Sequence, residues 1–175
     1  MVLSPSYSYP GIPEETSRGG TMMLLCLFVV FTECQNVFGE FLSIWGAQPD
    51  FVLAAAVACG VFRGQEQGFW LGFAGGFIQD LASSPGLAMG QLALSKMFIG
   101  WLAGTLSTSV RRTFVLVPVV LIALATVVNH LVLAFFTTEL ASLQWRHLTS
   151  AAAVNVLFGL PIYYFVGLFP GRHRS

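Results

Sequence analysis

Charge is scarce in this chain. Of its 175 residues only 9% are charged, eight of each sign, so the formal net charge is zero. Without a basic patch there is nothing to hold a phosphate backbone, and nucleic acid is set aside as a partner. Cysteine is rarer still. Cys26, Cys34 and Cys59 fall in apolar segments without CxxC spacing, so they read as buried small hydrophobes rather than as a disulfide or metal set. The histidines, His130, His147 and His173, lack metal-ligand spacing, and neither a metal nor a cofactor is expected. Gly-x-Ser-x-Gly, Gly-x-Gly-Asp, HExxH and phosphate-cradling loops are all missing. The sequence offers no catalytic constellation, and an enzyme is not expected.

What the chain has in abundance is apolar surface and glycine. It is 55% hydrophobic, with 18 glycines and 16 phenylalanines, and its mean hydropathy is +0.75. These values place it among proteins that cross a membrane several times. Gly68, Gly72 and Gly76 recur every four residues and form one bare stripe on a helix; Gly86/Gly90 and Gly100/Gly104 repeat the spacing. In lipid, small residues let two backbones approach closely and gain van der Waals contact, so these glycines read as helix-packing or partner-contact positions. Ser84 and Pro85 suit the N-cap and first position of the second helix, the one that carries Gly86/Gly90 and Gly100/Gly104.

Six spans are the most economical count for an all-α membrane protein. Arg18 followed by an apolar run resembles a signal peptide, but no small-x-small cleavage site follows, and an uncleaved first span over about 22–41 is expected. The second span opens after Gln48-Pro49-Asp50 and is short and alanine-rich. The third covers about 68–82, the fourth about 86–107, the fifth about 114–136 with Pro118 in its first turn, and the sixth about 148–169. Pro161 frees the carbonyl of Leu157 and predicts a kink. Residues 1–20 read as a disordered cytoplasmic tail, 21–170 as the membrane domain and 171–175 as a short cytoplasmic tail. Six spans put Arg18, Arg63, Arg111, Arg112, Arg172 and Arg174 on one side and Arg146 alone on the other. The positive-inside rule then turns both termini to the cytoplasm.

Ionisable groups inside a span are candidate sites because lipid makes them costly. They are Glu33, Asp80 and Lys96, with Asn129, His130 and Asn155 as polar companions. Asp80 ends the third helix and faces the start of the fourth, so it reads as a cap on that helix. Counting about 1.5 Å per residue from the cytoplasmic ends puts Glu33 roughly 17 Å deep and Lys96 roughly 16 Å deep. Two opposite charges at one depth near the midplane suggest a Glu33–Lys96 ion pair, with Asp80 too far out to compete; the alternative is that Lys96 faces a wet cavity or snorkels.

Taken in order, Gln35, Pro49-Asp50, Arg63-Gly64, the stripe Gly68, Gly72-Phe73 and Gly76, Asp80-Leu81, Ser84, Gly86, Leu94, Gly100 and Trp101-Leu-Ala-Gly104 resemble the MreD family of rod shape-determining membrane proteins. Asn155 and Pro161 fit its last span more loosely, and the long polar start departs from it. The resemblance implies a six-span protein of the bacterial plasma membrane. It further implies a fold like the substrate-binding components of energy-coupling-factor vitamin transporters, and no enzymatic activity. The implied partner is MreC, and through it RodA, a class B penicillin-binding transpeptidase and MreB, with membrane lipid around the spans. Such a protein is a scaffold of lateral peptidoglycan synthesis. The alternative is the vitamin-binding subunit of an importer with that architecture.

Overall fold

The computed structural model describes residues 15–82, 89–107, 116–137 and 145–169. Six helices account for nearly all of them: α1 Glu15–Phe38, α2 Phe51–Arg63, α3 Gln65–Ala82, α4 Gln91–Ser107, α5 Leu116–Thr137 and α6 Trp145–Gly167. Among the described residues, three segments are long and apolar enough to cross a membrane: Gly20–Phe38, Leu116–Phe136 and Arg146–Gly167. The fold class expected from composition is therefore the observed one.

α2 is the hub. Its run from Val52 to Val61 is buried on every side, and it packs against all five other helices. A helix that is apolar all round belongs in an interior. Here the alanines at 54, 55, 56 and 58 keep it thin enough for five neighbours to surround it. Its length matters as much. Thirteen residues span only about 20 Å, short of a hydrocarbon core about 30 Å thick.

Which end of α2 falls short is fixed by the contacts of its termini. Arg63, in its last turn, donates through Nε and Nη2 to the carbonyl of Phe169 beyond α6, and its guanidinium lies beside Gly20 of α1. Gly104 of α4 approaches Gln65 of α3 at the same end. The start of α2 therefore lies inside the bundle, and residues 39–50 fold inward to reach it. Ile44 and Ala47 bridge each other through two 3.0 Å backbone hydrogen bonds. Ala47 packs with Ala151 and Val154 of α6. Irregular backbone at membrane depth is tolerated only where protein buries it or where it lines a cavity; in this loop Gly39, Ala47 and Pro49 are buried, and Gly46, Ala47, Gln48 and Asp50 line a cavity.

Several sequence expectations move. α1 begins at Glu15, within the segment read as a disordered tail over 1–20. Residues 15–18 hold no Gly or Pro, and an acidic residue suits a helix start. α1 also ends at Phe38 rather than 41. α4 begins at Gln91 rather than about 86, after a turn through Gly90, whose φ of +100° is in the left-handed region open to glycine. Gly90 thus belongs to a turn and not to a helix-packing stripe. Ser84, Pro85 and Gly86 lie outside the described residues, as do the terminal segment 171–175 and residues 1–14.

The remaining glycines do pack helices. A Cβ on Gly68 would meet the Gly100 carbonyl, one on Gly72 the Lys96 carbonyl, and one on Gly76 the Leu92 carbonyl. Gly60 of α2, which carried no sequence signal, joins this seam against Gly100 and Gly104. The aromatic side chains Trp70, Phe73, Phe77, Phe98 and Trp101 point outward from the α3–α4 pair, where lipid would receive them.

Candidate functional site

Asp50 is the N-cap of α2, with Oδ1 accepting from the amide of Leu53 at 2.9 Å. The positive end of the helix dipole favours its carboxylate. Its own amide donates to Oδ1 of Asn155 on α6 at 2.7 Å. The next amide, Phe51, donates to Oε1 of Gln35 on α1 at 3.1 Å. The inward-set start of α2 is thus held from two sides by side-chain amides.

Oδ2 of Asp50 takes the remaining partner, the ammonium of Lys96 on α4. The Lys96 side chain is wholly buried, while that of Asp50 is 15% exposed. Lys96 also donates to Oδ1 of Asn129 on α5 at 3.2 Å, an oxygen that receives Ser95 Oγ at 2.6 Å. Asn155 continues the chain, its Nδ2 donating to Oγ1 of Thr126 at 3.0 Å, and Thr126 donates to the carbonyl of Ile122. Five helices meet in this one polar centre. A buried charge is tolerated when it is paired and hydrogen-bonded, and each charge here is.

The expected Glu33–Lys96 pair is not formed. Glu33 lies on the exposed face of α1 and makes no ion pair among the described residues. The buried face of α1 is Leu24, Phe28 and Thr32, and Glu33 is turned about 100° from Thr32. Depth matched, but direction did not. Asp50 was assigned to the mouth of the second span, and the short α2 brings it down to Lys96. The sequence signal that could have found it was the length of the apolar run after Asp50.

Asp80 stands apart from this centre. Its carboxylate accepts from the amides of Gly90, Leu92 and Ala93 at 3.1, 3.2 and 2.9 Å. That satisfies orphan donors at the start of α4 and joins α3 to α4. Asn129 and Asn155, singled out as polar companions in the spans, both enter the network, and His130 borders it. Its Nδ1 lies 2.9 Å from the Thr126 carbonyl. That oxygen can only accept, so Nδ1 carries a proton, and in the neutral ring the other nitrogen, Nε2, is an acceptor.

Above the network opens a cavity of about 350 Å³ lined by Gln35, Gly46, Ala47, Gln48, Asp50, Asn129, His130, His147, Ala151 and Asn155. A wider cavity of about 680 Å³, lined by Trp45, Arg146, His147, Thr149 and Ser150, shares His147 with it. No group of three or more His, Cys, Asp or Glu gathers as a metal set among the described residues.

An all-helical bundle with membrane-length helices, glycine seams and a polar centre under a polar cavity defines a class: an all-helical membrane protein built on helix packing. The family model for rod shape-determining protein MreD matches residues 16–169, and the chain belongs to that family. No curated protein and no solved structure matches it.

Proposed function

We propose that this chain is a non-enzymatic scaffold of the bacterial cell-wall elongation machinery. It contributes to rod shape and to lateral peptidoglycan synthesis by associating with MreC in the plasma membrane. RodA, the class B penicillin-binding transpeptidase and MreB filaments are then indirect partners. The observation that carries this reading is the family match over residues 16–169. The importer alternative gains no support from that match.

The fold supports a scaffold in physical terms. Its interior is committed to internal contacts: glycine seams that tolerate no added side chain, and an ion pair held by amides. Packed cores of this kind hold their outer surfaces in a fixed arrangement. All six helices are read as spans, with the end carrying Arg63 on the cytoplasmic side and both termini there, in keeping with the arginine asymmetry.

Depletion tests this reading. Cells losing the protein should round up, recover rod shape when it is supplied again, and yield MreC when it is purified with a tag. Rod-shaped growth after full depletion, with MreC unbound, would overturn the scaffold.

A further inference from the structure

The scaffold reading leaves the cavity unexplained. The Asp50 and Lys96 charges at its base cancel each other, so neither a bare anion nor a bare cation is favoured there. What remains is a set of neutral hydrogen-bonding groups without protein partners among the described residues. Oε1 of Gln35 is used by Phe51, which leaves Nε2. Oδ1 of Asn129 is used twice, which leaves Nδ2. Gln48 and His147 line the space with side chains that form no hydrogen bond among the described residues, and His130 brings the acceptor Nε2.

The adjoining wall is aromatic. Trp45 is 79% exposed and has a φ of +53°, beside Gly46 at +77°. Two positive φ values between the bridged Ile44 and Ala47 make a tight turn of the kind that favours Asn-Gly. A bulky residue in the left-handed region is strained. Tryptophan therefore sits at a position where asparagine would fold better, with its indole against the outer cavity.

We propose that this cavity, with the outer cavity that meets it at His147, binds a carbohydrate ring bearing hydroxyl and amide groups, with the polar edge on Gln35, Gln48, Asn129, His130 and His147 and the apolar C–H face toward Trp45 in the outer cavity. A sugar is uncharged, offers donors and acceptors around its rim, and has a flat apolar face, which matches the three features of the site. About 350 Å³ lies within the ~300–1,000 Å³ range of small-molecule pockets. The sugar is either free or the headgroup of a phosphate-linked lipid. Arg146 in the outer cavity gives the second source a contact that the first lacks.

The test uses the full chain in nanodiscs of phosphatidylethanolamine and phosphatidylglycerol, free of glycoside detergent. The probes are the methyl glycoside of an N-acetylhexosamine, a polyprenyl-phosphate-linked N-acetylhexosamine, and inorganic phosphate as control. Saturable binding of at least one sugar probe is expected, weakened about 3- to 10-fold by H147A or Q48A, as loss of one neutral hydrogen bond predicts. R146A should weaken only the phosphate-linked probe. W45N should bind more weakly while melting at the same or a higher temperature. Neither the His147 nor the Gln48 side chain makes a hydrogen bond among the described residues, and the His147 carbonyl that accepts from Ser150 is kept in H147A, so their variants remain readable. Absence of saturable sugar binding, equal binding in H147A and Q48A, or tighter binding of phosphate than of either sugar would overturn the site. Normal rod shape plays no part in the readout, so this proposal and the scaffold fail separately.

Discussion

Asp50 and Lys96, separated by 46 positions in sequence, form an ion pair between the cap of one helix and the buried side of another. The pair exists because α2 is short and begins inside the bundle, where its cap meets Lys96. Its two members are not equally placed. Lys96 is fully enclosed, whereas Asp50 keeps 15% exposure to the cavity and a helix N-terminus behind it.

Breaking the pair should therefore be asymmetric. Asp50→Asn keeps an efficient cap but strands an enclosed ammonium, at a cost of about 3–5 kcal/mol. Lys96→Met strands a carboxylate that still has the helix dipole and the cavity, and should cost less. The double variant should recover part of either loss. Melting temperature and membrane level of the three variants measure this, and strictly additive losses would show that the two side chains do not act as a pair.

The glycine seam makes a second test. Gly72→Leu and Gly76→Leu set side chains against the backbone of α4, where nothing flexible can yield. Overpacking of a core typically costs about 1–3 kcal/mol, and contact with backbone exceeds the usual case. Both variants should fail to accumulate. Gly90→Ala should be milder, because its Cβ meets nothing and only the +100° φ resists it. Equal membrane levels for Gly72→Leu and the parent chain would refute the seam.

Periodicity is what made that seam legible in the sequence. Gly68, Gly72 and Gly76 share a face whatever lies opposite, so a one-dimensional pattern was enough. The polar centre was legible only in its parts. Lys96, Asn129 and Asn155 were visible as polar residues in apolar runs, but their meeting point depends on α2 beginning deep in the bundle. A depth count that assumes upright spans cannot see this, and it paired Lys96 with Glu33. The direction of Glu33 was recoverable from Leu24, Phe28 and Thr32 at spacings of four, which mark the buried face of α1 on the side away from Glu33. The cap by Asp80 was legible because it is local, joining a helix end to the next helix start.

That cap gives a third prediction. Asp80 accepts three amides at the start of α4, so Asp80→Ala should destabilise by about 1–2 kcal/mol. Asp80→Asn should retain much of the stability, because an amide oxygen also accepts. Calorimetry in detergent would show this order. An Asn variant as damaged as the Ala variant would assign the effect to the charge rather than to the hydrogen bonds.

Orientation is the last test. Glu66 is exposed at the start of α3, beside the end of the bundle that holds Arg63 and Phe169. Trp45 is exposed on the loop that enters the bundle from the other end. With Cys26, Cys34 and Cys59 replaced, single cysteines at these two positions report opposite faces. Cys59 is enclosed within α2, so its replacement should be alanine, which fits a helix already rich in that residue. A membrane-impermeant thiol reagent added to intact spheroplasts should label the Trp45→Cys variant and spare Glu66→Cys. Inverted vesicles should reverse the pattern. Labelling of both from one face would break the alternation of the helices, and labelling of Glu66→Cys alone in spheroplasts would invert the protein, placing the arginine-rich end outside against the positive-inside rule.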